Sequence, residues 1–160
     1  MMKNRQAGVA MVELAIILPL LLAICFAVTE FGRAIYTYNT LAKSARDAAR
    51  YLSTQAAGNG ASWGVARNLV AYGNPIGDGP LLVPGLDKNS MVTICDASYC
   101  AGNLNQGSNP VINTVTVTIT GYLFSPVIDL LAFTNFYSTS KSSLTSITFG
   151  DISVTMRQQS

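Results

Sequence analysis

Three kinds of residue in this 160-residue chain are placed where they could do chemistry: a carboxylate inside an apolar run, a close pair of cysteines, and a few loop aspartates. The carboxylate is Glu13, in the segment RQAGVAMVELAIILPLLLAICFAV that spans residues 5–28. A lone carboxylate in hydrocarbon costs roughly 2.5–3.5 kcal/mol on insertion scales unless it finds a partner. Its chemistry is therefore that of half an ion pair. The plainer alternative is an acid that snorkels to the interface from within two turns of the helix start. The cysteines are Cys95 and Cys100, closing CDASYC. In a non-cytoplasmic compartment a pair so spaced reads as a local disulfide, with two separate thiols as the alternative. Two cysteines cannot complete a four-thiolate zinc site, and the chain has no histidine. That absence removes the commonest general base and the commonest transition-metal ligand. Asp78, Asp87 and Asp96 fit no calcium-loop spacing and read as solvated loop acids. No nucleophile motif and no carboxylate pair on one face is present. The expectation is a chain without catalysis, metal or cofactor.

The element that carries Glu13 is the apolar run itself. Val9–Val28 is twenty residues, and at about 1.5 Å per residue it spans roughly the 30 Å hydrocarbon core of a bilayer. One transmembrane helix, in contact with membrane lipid, is the economical reading. Ten basic residues face eight acidic ones, and no basic stripe points to nucleic acid. The run is too long for an ordinary secretory signal and lacks a small-residue cleavage pair after it. Ahead of it stands the basic octapeptide MMKNRQAG, which ends in a glycine five residues before Glu13. Lysines and arginines near the two ends of the run balance, so they do not set orientation.

This arrangement resembles the leader of type IV prepilins and pseudopilins, which a membrane peptidase cuts directly after a glycine while the apolar helix stays attached. The resemblance implies a cut between Gly8 and Val9, after which the new Val9 amino group becomes a cation for Glu13, on a neighbouring subunit packed with an axial offset. A glycine suits the cut, because it lets the backbone lie extended in a cleft. An uncleaved signal anchor is the competing reading. The stretch from Glu13 through Pro19 to Leu22, then Glu30-Phe-Gly32-Arg33, the run Ala45 to Tyr51 with Arg46 and Arg50, and the terminal Val154-Thr-Met-Arg157 together resemble the TadE-like pseudopilins of tight-adherence (Tad/Flp) pilus systems. The resemblance is strong over the first 55 residues and loose beyond; TadF-type chains share the pattern, and Leu14 rather than tyrosine after Glu13 argues for a minor component. Pro19, mid-membrane, removes a backbone hydrogen bond and offers a place to bend during extraction from the bilayer.

Beyond the run, Val28, Phe31, Ile35, Tyr38, Ala42, Ala45, Ala49 and Leu52 recur at helical spacing, with Arg33, Lys43, Arg46, Asp47 and Arg50 opposite. They predict one rod from about Val9 to Gln55, ended by Ala57-Gly-Asn-Gly60. Ser62–Tyr72 reads as a short helix capped by Ser62 and ended by Gly73, with Trp63, Ala66, Leu69 and Val70 as its apolar face. A glycine- and proline-rich loop follows over 73–85, with no phosphate-cradle signature. Met91–Cys95 alternates weakly and Val115–Thr120 cleanly, valines and isoleucine on one face and threonines on the other. Ile147 and Phe149 keep one parity, and Ile152, Val154 and Met156 the other, so Gly150-Asp151 is a bulge or turn. Pro126–Phe133 reads as an amphipathic turn of helix covering the sheet.

The predicted architecture is α+β and pilin-like: a leader at 1–8, a transmembrane helix at 9–28, its continuation at 29–56, and an α+β ectodomain at 57–160 with a disulfide-closed loop, the helix packing on a small antiparallel sheet. The resemblance implies a structural subunit of the bacterial inner membrane, with a cytoplasmic amino terminus and a periplasmic ectodomain, that enters or serves a surface pilus. Its partners would be the prepilin peptidase, other pilins and pseudopilins of the Tad system, and the inner-membrane assembly platform. The alternative is a single-pass extracytoplasmic binding or sensor module whose helix is only an anchor.

Overall fold

The computed structural model describes residues 5–108, 112–128 and 146–159, with side chains from Gly8 onward. Helix α1 runs Arg5–Ser53 and helix α2 Gly60–Tyr72. Strands β1 (Val92–Cys95), β2 (Asn113–Ile119), β3 (Leu123–Phe124), β4 (Ile147–Thr148) and β5 (Ile152–Gln158) follow, with one turn of 3-10 helix at Ala101–Asn103. The chain divides into two compact units. The anchor unit holds the described residues of Met1–Ile35 and Ser125–Ile147; the sheet unit holds Tyr36–Phe124 and the described residues of Thr148–Ser160.

The sheet unit is built around β2, which pairs antiparallel with β1 on one side and β5 on the other. The register aligns Val92, Ile119 and Ile152 in one row and Ile94, Val117 and Val154 in the next. Period-two alternation puts all of these on one face, where Val115, Val117 and Ile119 are fully buried or nearly so. The opposite face carries Thr116 against Thr155, hydroxyls 2.9 Å apart, and Thr118 against Ser153, 3.2 Å apart. One face is dry and the other wet, as the threonine alternation predicts.

The second half of α1 contributes Leu41, Ala45, Ala48, Ala49 and Leu52 to the core of this unit, each no more than 2% exposed. Alanines at three of these positions keep the helix surface flat and allow close approach, at no cost in helix propensity. At the carboxyl end, Gln159 N–H donates to Ser53 C=O at 2.8 Å, and Gln158 Nε2 to Gln55 C=O at 3.1 Å, so the last strand is tied to the end of α1. Half-buried Phe149 gathers three rings around it, those of Tyr38, Tyr122 and Phe124, each within 6 Å of its centroid. Burial pushes the Tyr122 phenol up, and its hydroxyl donates to Pro84 C=O.

Four sequence expectations need correction. The apolar stripe of α1 does not run unbroken from Val28 to Leu52: Val28 and Phe31 are both 67% exposed, Ile35 and Tyr38 are also exposed, and the buried register passes instead through Leu41 and Ser44. The expected stripe joined residues of the anchor unit to residues of the sheet core, although the two segments answer to different surroundings. Helix α2 begins two residues earlier than expected, capped by Asn59, whose Oδ1 accepts from Ala61 N–H at 3.2 Å. Asparagine is among the best caps, so Gly58-Asn59 ends one helix connection and opens the next; Ser62 is buried inside α2, and Trp63 and Leu69 are only half-buried. Gly73 stops α2 as expected, in left-handed backbone at φ 73° with its N–H on Leu69 C=O. Asp96 is not a solvated loop acid, for it is 1% exposed. Finally, Pro126–Ile128 are not helical, while residues 129–133 of the expected amphipathic turn lie outside the described residues.

Candidate functional site

The residues singled out by sequence fall into three clusters, two in the anchor unit and one in the sheet unit. The first is the start of α1. Gly8 and Val9 both lie in helical backbone and are exposed, and Glu13 is exposed little more than one turn further on. A Cβ added at Gly8 would meet nothing within 4 Å. No packing within the described residues asks for a glycine there, while a helix-interior glycine costs about 1 kcal/mol relative to alanine. The same is true of Gly32. Gly8 thus weakens the first turns of α1, so unwinding them into an extended backbone takes less work than it would with alanine there. Pro19 lies inside α1; it has no N–H, so the helical acceptor four residues back, the Ala15 carbonyl, loses its donor.

The second cluster sits where the apolar run ends. Glu30 is 5% exposed, although it lies only two residues beyond Val28. Its Oε2 accepts from Arg33 Nη1 at 2.7 Å, and its Oε1 accepts from the Val127 backbone N–H at 3.2 Å. Positions i and i+3 of a helix are neighbours, so Arg33 is placed to neutralise the acid. A buried carboxylate is tolerable when its charge is paired and its lone pairs are used. Sequence reasoning found Glu30 and Arg33 only as part of a motif. An acid followed three residues later by arginine, straight after a membrane-length run, is the signal that could have marked an ion pair. Arg46 and Arg50 belong to the sheet unit and are exposed.

The third cluster is the CDASYC loop. Cys95 and Cys100 are joined by a disulfide, with Cα atoms 5.4 Å apart, and Cys25 is a free thiol on α1. Inside the loop, Asp96 Oδ1 accepts from Ser98 Oγ at 2.6 Å, Ser98 N–H at 3.0 Å and Tyr99 N–H at 3.2 Å. Its Oδ2 accepts from Gly58 N–H at 2.8 Å and from Trp63 Nε1–H at 3.1 Å. Burial pushes the Asp96 carboxyl up, but the donors from Ser98, Gly58 and Trp63 outweigh it and hold the group below the ordinary carboxylate value. The loop therefore fastens the connection between α1 and α2. The rings of Trp63 and Tyr99 meet edge to face 5.7 Å apart over the same junction. This hub escaped the sequence reading, although Asp-x-Ser is the pattern by which an aspartate binds its own backbone two residues on.

Among the described residues no group of three or more His, Cys, Asp or Glu side chains is gathered as a metal site. What the arrangement offers instead is a long helix whose apolar run bears one exposed acid, Glu13, with a second acid, Glu30, buried just past the run. That helix is long and apolar enough to cross a membrane, with a mean hydropathy of 2.7 in its most apolar window and none of that window buried. By length and composition it is suited to anchor the chain in a membrane.

Residues 8–50 match the family model described as TadE-like protein. The match begins at Gly8 and contains Glu13, Pro19, Glu30, Gly32, Arg33, Arg46 and Arg50. No curated protein and no solved structure matches the chain.

Proposed function

We propose, from the TadE-like character of residues 8–50, that this chain is a non-catalytic pseudopilin of a Tad pilus, processed after Gly8 by a prepilin peptidase and required for pilus assembly. The observation that carries the reading is the pairing of Gly8 with Glu13 at the start of the matched segment. The glycine has no packing role among the described residues and weakens the helix where a peptidase would need it extended. The acid faces outward from α1 with no hydrogen bond or ion pair to its own chain among the described residues, so a cation supplied by cleavage would satisfy it. In this reading the amino terminus is cytoplasmic and the sheet unit periplasmic, where the Cys95–Cys100 disulfide persists. Other pilins and the inner-membrane assembly platform are its partners.

A host lacking this chain is expected to lose pili and to regain them with the wild-type chain. Complementation with Gly8→Val leaves piliation at the level of the deletion, because the branched side chain obstructs the fit of the backbone in the peptidase cleft. Full piliation by Gly8→Val would defeat the proposal.

The competing reading, a tethered binding module, has one observation in its favour. A groove of about 670 Å³ in the sheet unit is lined by Tyr36, Asn39, Lys43 and Asp47 of α1 with Leu69 and Leu82 opposite. A module using that groove would work uncleaved, so the Gly8→Val chain separates the two readings.

A further inference from the structure

The anchor unit exposes more apolar surface than a single transmembrane helix requires. Val28 and Phe31 are each 67% exposed, and Val127, on the other segment of the unit, is 77% exposed. Isolated exposed apolar side chains need no explanation, but these are held at one height. Phe31 lies three residues past Val28, about 5 Å further along the axis, and the interfacial layer of a bilayer extends some 5–7 Å beyond its hydrocarbon core. Val127 is brought to the same level by its backbone N–H, which is bound to Glu30 Oε1. Side chains of a helix lean toward its amino terminus, so the Glu30 carboxylate pulls that segment back toward the apolar run.

We infer that Phe31 of α1 and Val127 of the fastened segment, together with Val28 at the end of the transmembrane run, form an apolar collar seated in the lipid headgroup layer, a membrane contact that extends past the run itself. The occupant is lipid because the collar continues the surface of a membrane-crossing helix, none of whose most apolar window is buried by protein. Charge arrangement agrees. Glu30, the one carboxylate at this level among the described anchor-unit residues, is turned away from lipid, capped by the Val127 N–H and neutralised by Arg33. The collar fixes how deeply the chain sits, because lifting α1 outward would bring Phe31 and Val127 into water, while sinking it would drag the Glu30–Arg33 pair toward hydrocarbon. This inference rests on α1 crossing a membrane and not on cleavage or pilus assembly.

The test uses the full-length chain carrying Cys25→Ala, reconstituted in vesicles of phosphatidylethanolamine and phosphatidylglycerol, with an environment-sensitive fluorophore on Val127→Cys. Spin-labelled lipids that quench near the glycerol or near the chain end report its depth. A label in the headgroup layer emits to the blue of its value in water and is quenched about two-fold by the shallow lipid, and less by the deep one. The same label on Ile17→Cys must show the reverse order, and on Ile76→Cys, an equally exposed apolar residue of the sheet unit, neither lipid should quench it. Adding Glu30→Ala should release the Val127 label and remove its quenching. Water-like emission at Val127 with a deeply quenched Ile17 overturns the collar while leaving the anchor intact. A label shielded from both lipid and aqueous iodide means that protein covers the site, and overturns it too. An Ile17 label that lipid does not quench defeats the transmembrane premise itself.

Discussion

Replacing Asp96 with alanine is expected to lower the stability of the sheet unit by about 3 kcal/mol, the range for breaking a buried, charged hydrogen-bond hub. The carboxylate accepts from Gly58 N–H, Trp63 Nε1–H, Ser98 N–H, Ser98 Oγ and Tyr99 N–H, and an alanine leaves these donors without an acceptor. Trp63 is the only tryptophan in the chain, so its fluorescence in a urea titration of the detergent-solubilised protein reads the loss directly. The wild-type protein should also lose stability in acid. The folded Asp96 carboxyl lies below its ordinary value of 3.8, so the unfolded chain takes up a proton first as pH falls. The contribution is complete above about pH 5 and disappears as pH drops through the ordinary value toward the folded one. The Asp96→Ala chain should show a flatter dependence over that window. Equal midpoints for the two chains at neutral pH, or parallel acid slopes, would remove Asp96 from its place as the hub.

The second large effect concerns assembly. Exchanging Glu13 for glutamine leaves the side chain nearly the same size and removes its charge. Insertion of α1 should be unimpaired, since a neutral amide is cheaper to hold near hydrocarbon than a carboxylate. In the proposed reading, what is lost is the attraction to the amino group that cleavage would create on Val9 of a neighbouring subunit. If that pair contributes about 2 kcal/mol, the association constant falls on the order of 30-fold, and the assembled fraction with it where assembly is not saturated. Cross-linking of the chain to other pilus components in intact membranes measures it. A Glu13→Gln chain that cross-links as well as wild type would assign Glu13 to the interface as a snorkelling acid and nothing more.

Physical reasons separate what the sequence disclosed from what it hid. The β2 strand was legible residue by residue, because alternation of Val115, Val117 and Ile119 with threonines has a single explanation in a half-wet sheet, and the structure buries those three residues. The end of α2 was legible because glycine alone takes the left-handed turn at position 73 without penalty. The phase of α1 was not. Val28, Phe31 and Ile35 are as apolar as the core positions after them, and hydropathy does not distinguish a face that meets lipid from a face that meets protein. Leu41, fully buried, fell outside the expected stripe for that reason. Asp96 and Glu30 were hidden by a different fact. Burial of an acid depends on donors far away in sequence, Gly58 and Trp63 for one and Val127 for the other. No local pattern announces such partners; only the fold brings them together.

The two glutamates of α1, Glu13 and Glu30, have opposite fates. Glu30 finds its cation within its own chain, in Arg33. Glu13 faces outward in a stretch where charge is costly, and the account assigns it a cation that does not exist until the peptide bond after Gly8 is cut. The intact mass of the chain, purified from membranes in which it is co-expressed with its prepilin peptidase, tests this most directly. The expected mass lacks residues 1–8, with Val9 as the first residue. A chain that retains Met1 in the presence of active peptidase would contradict it and leave an ordinary tethered domain.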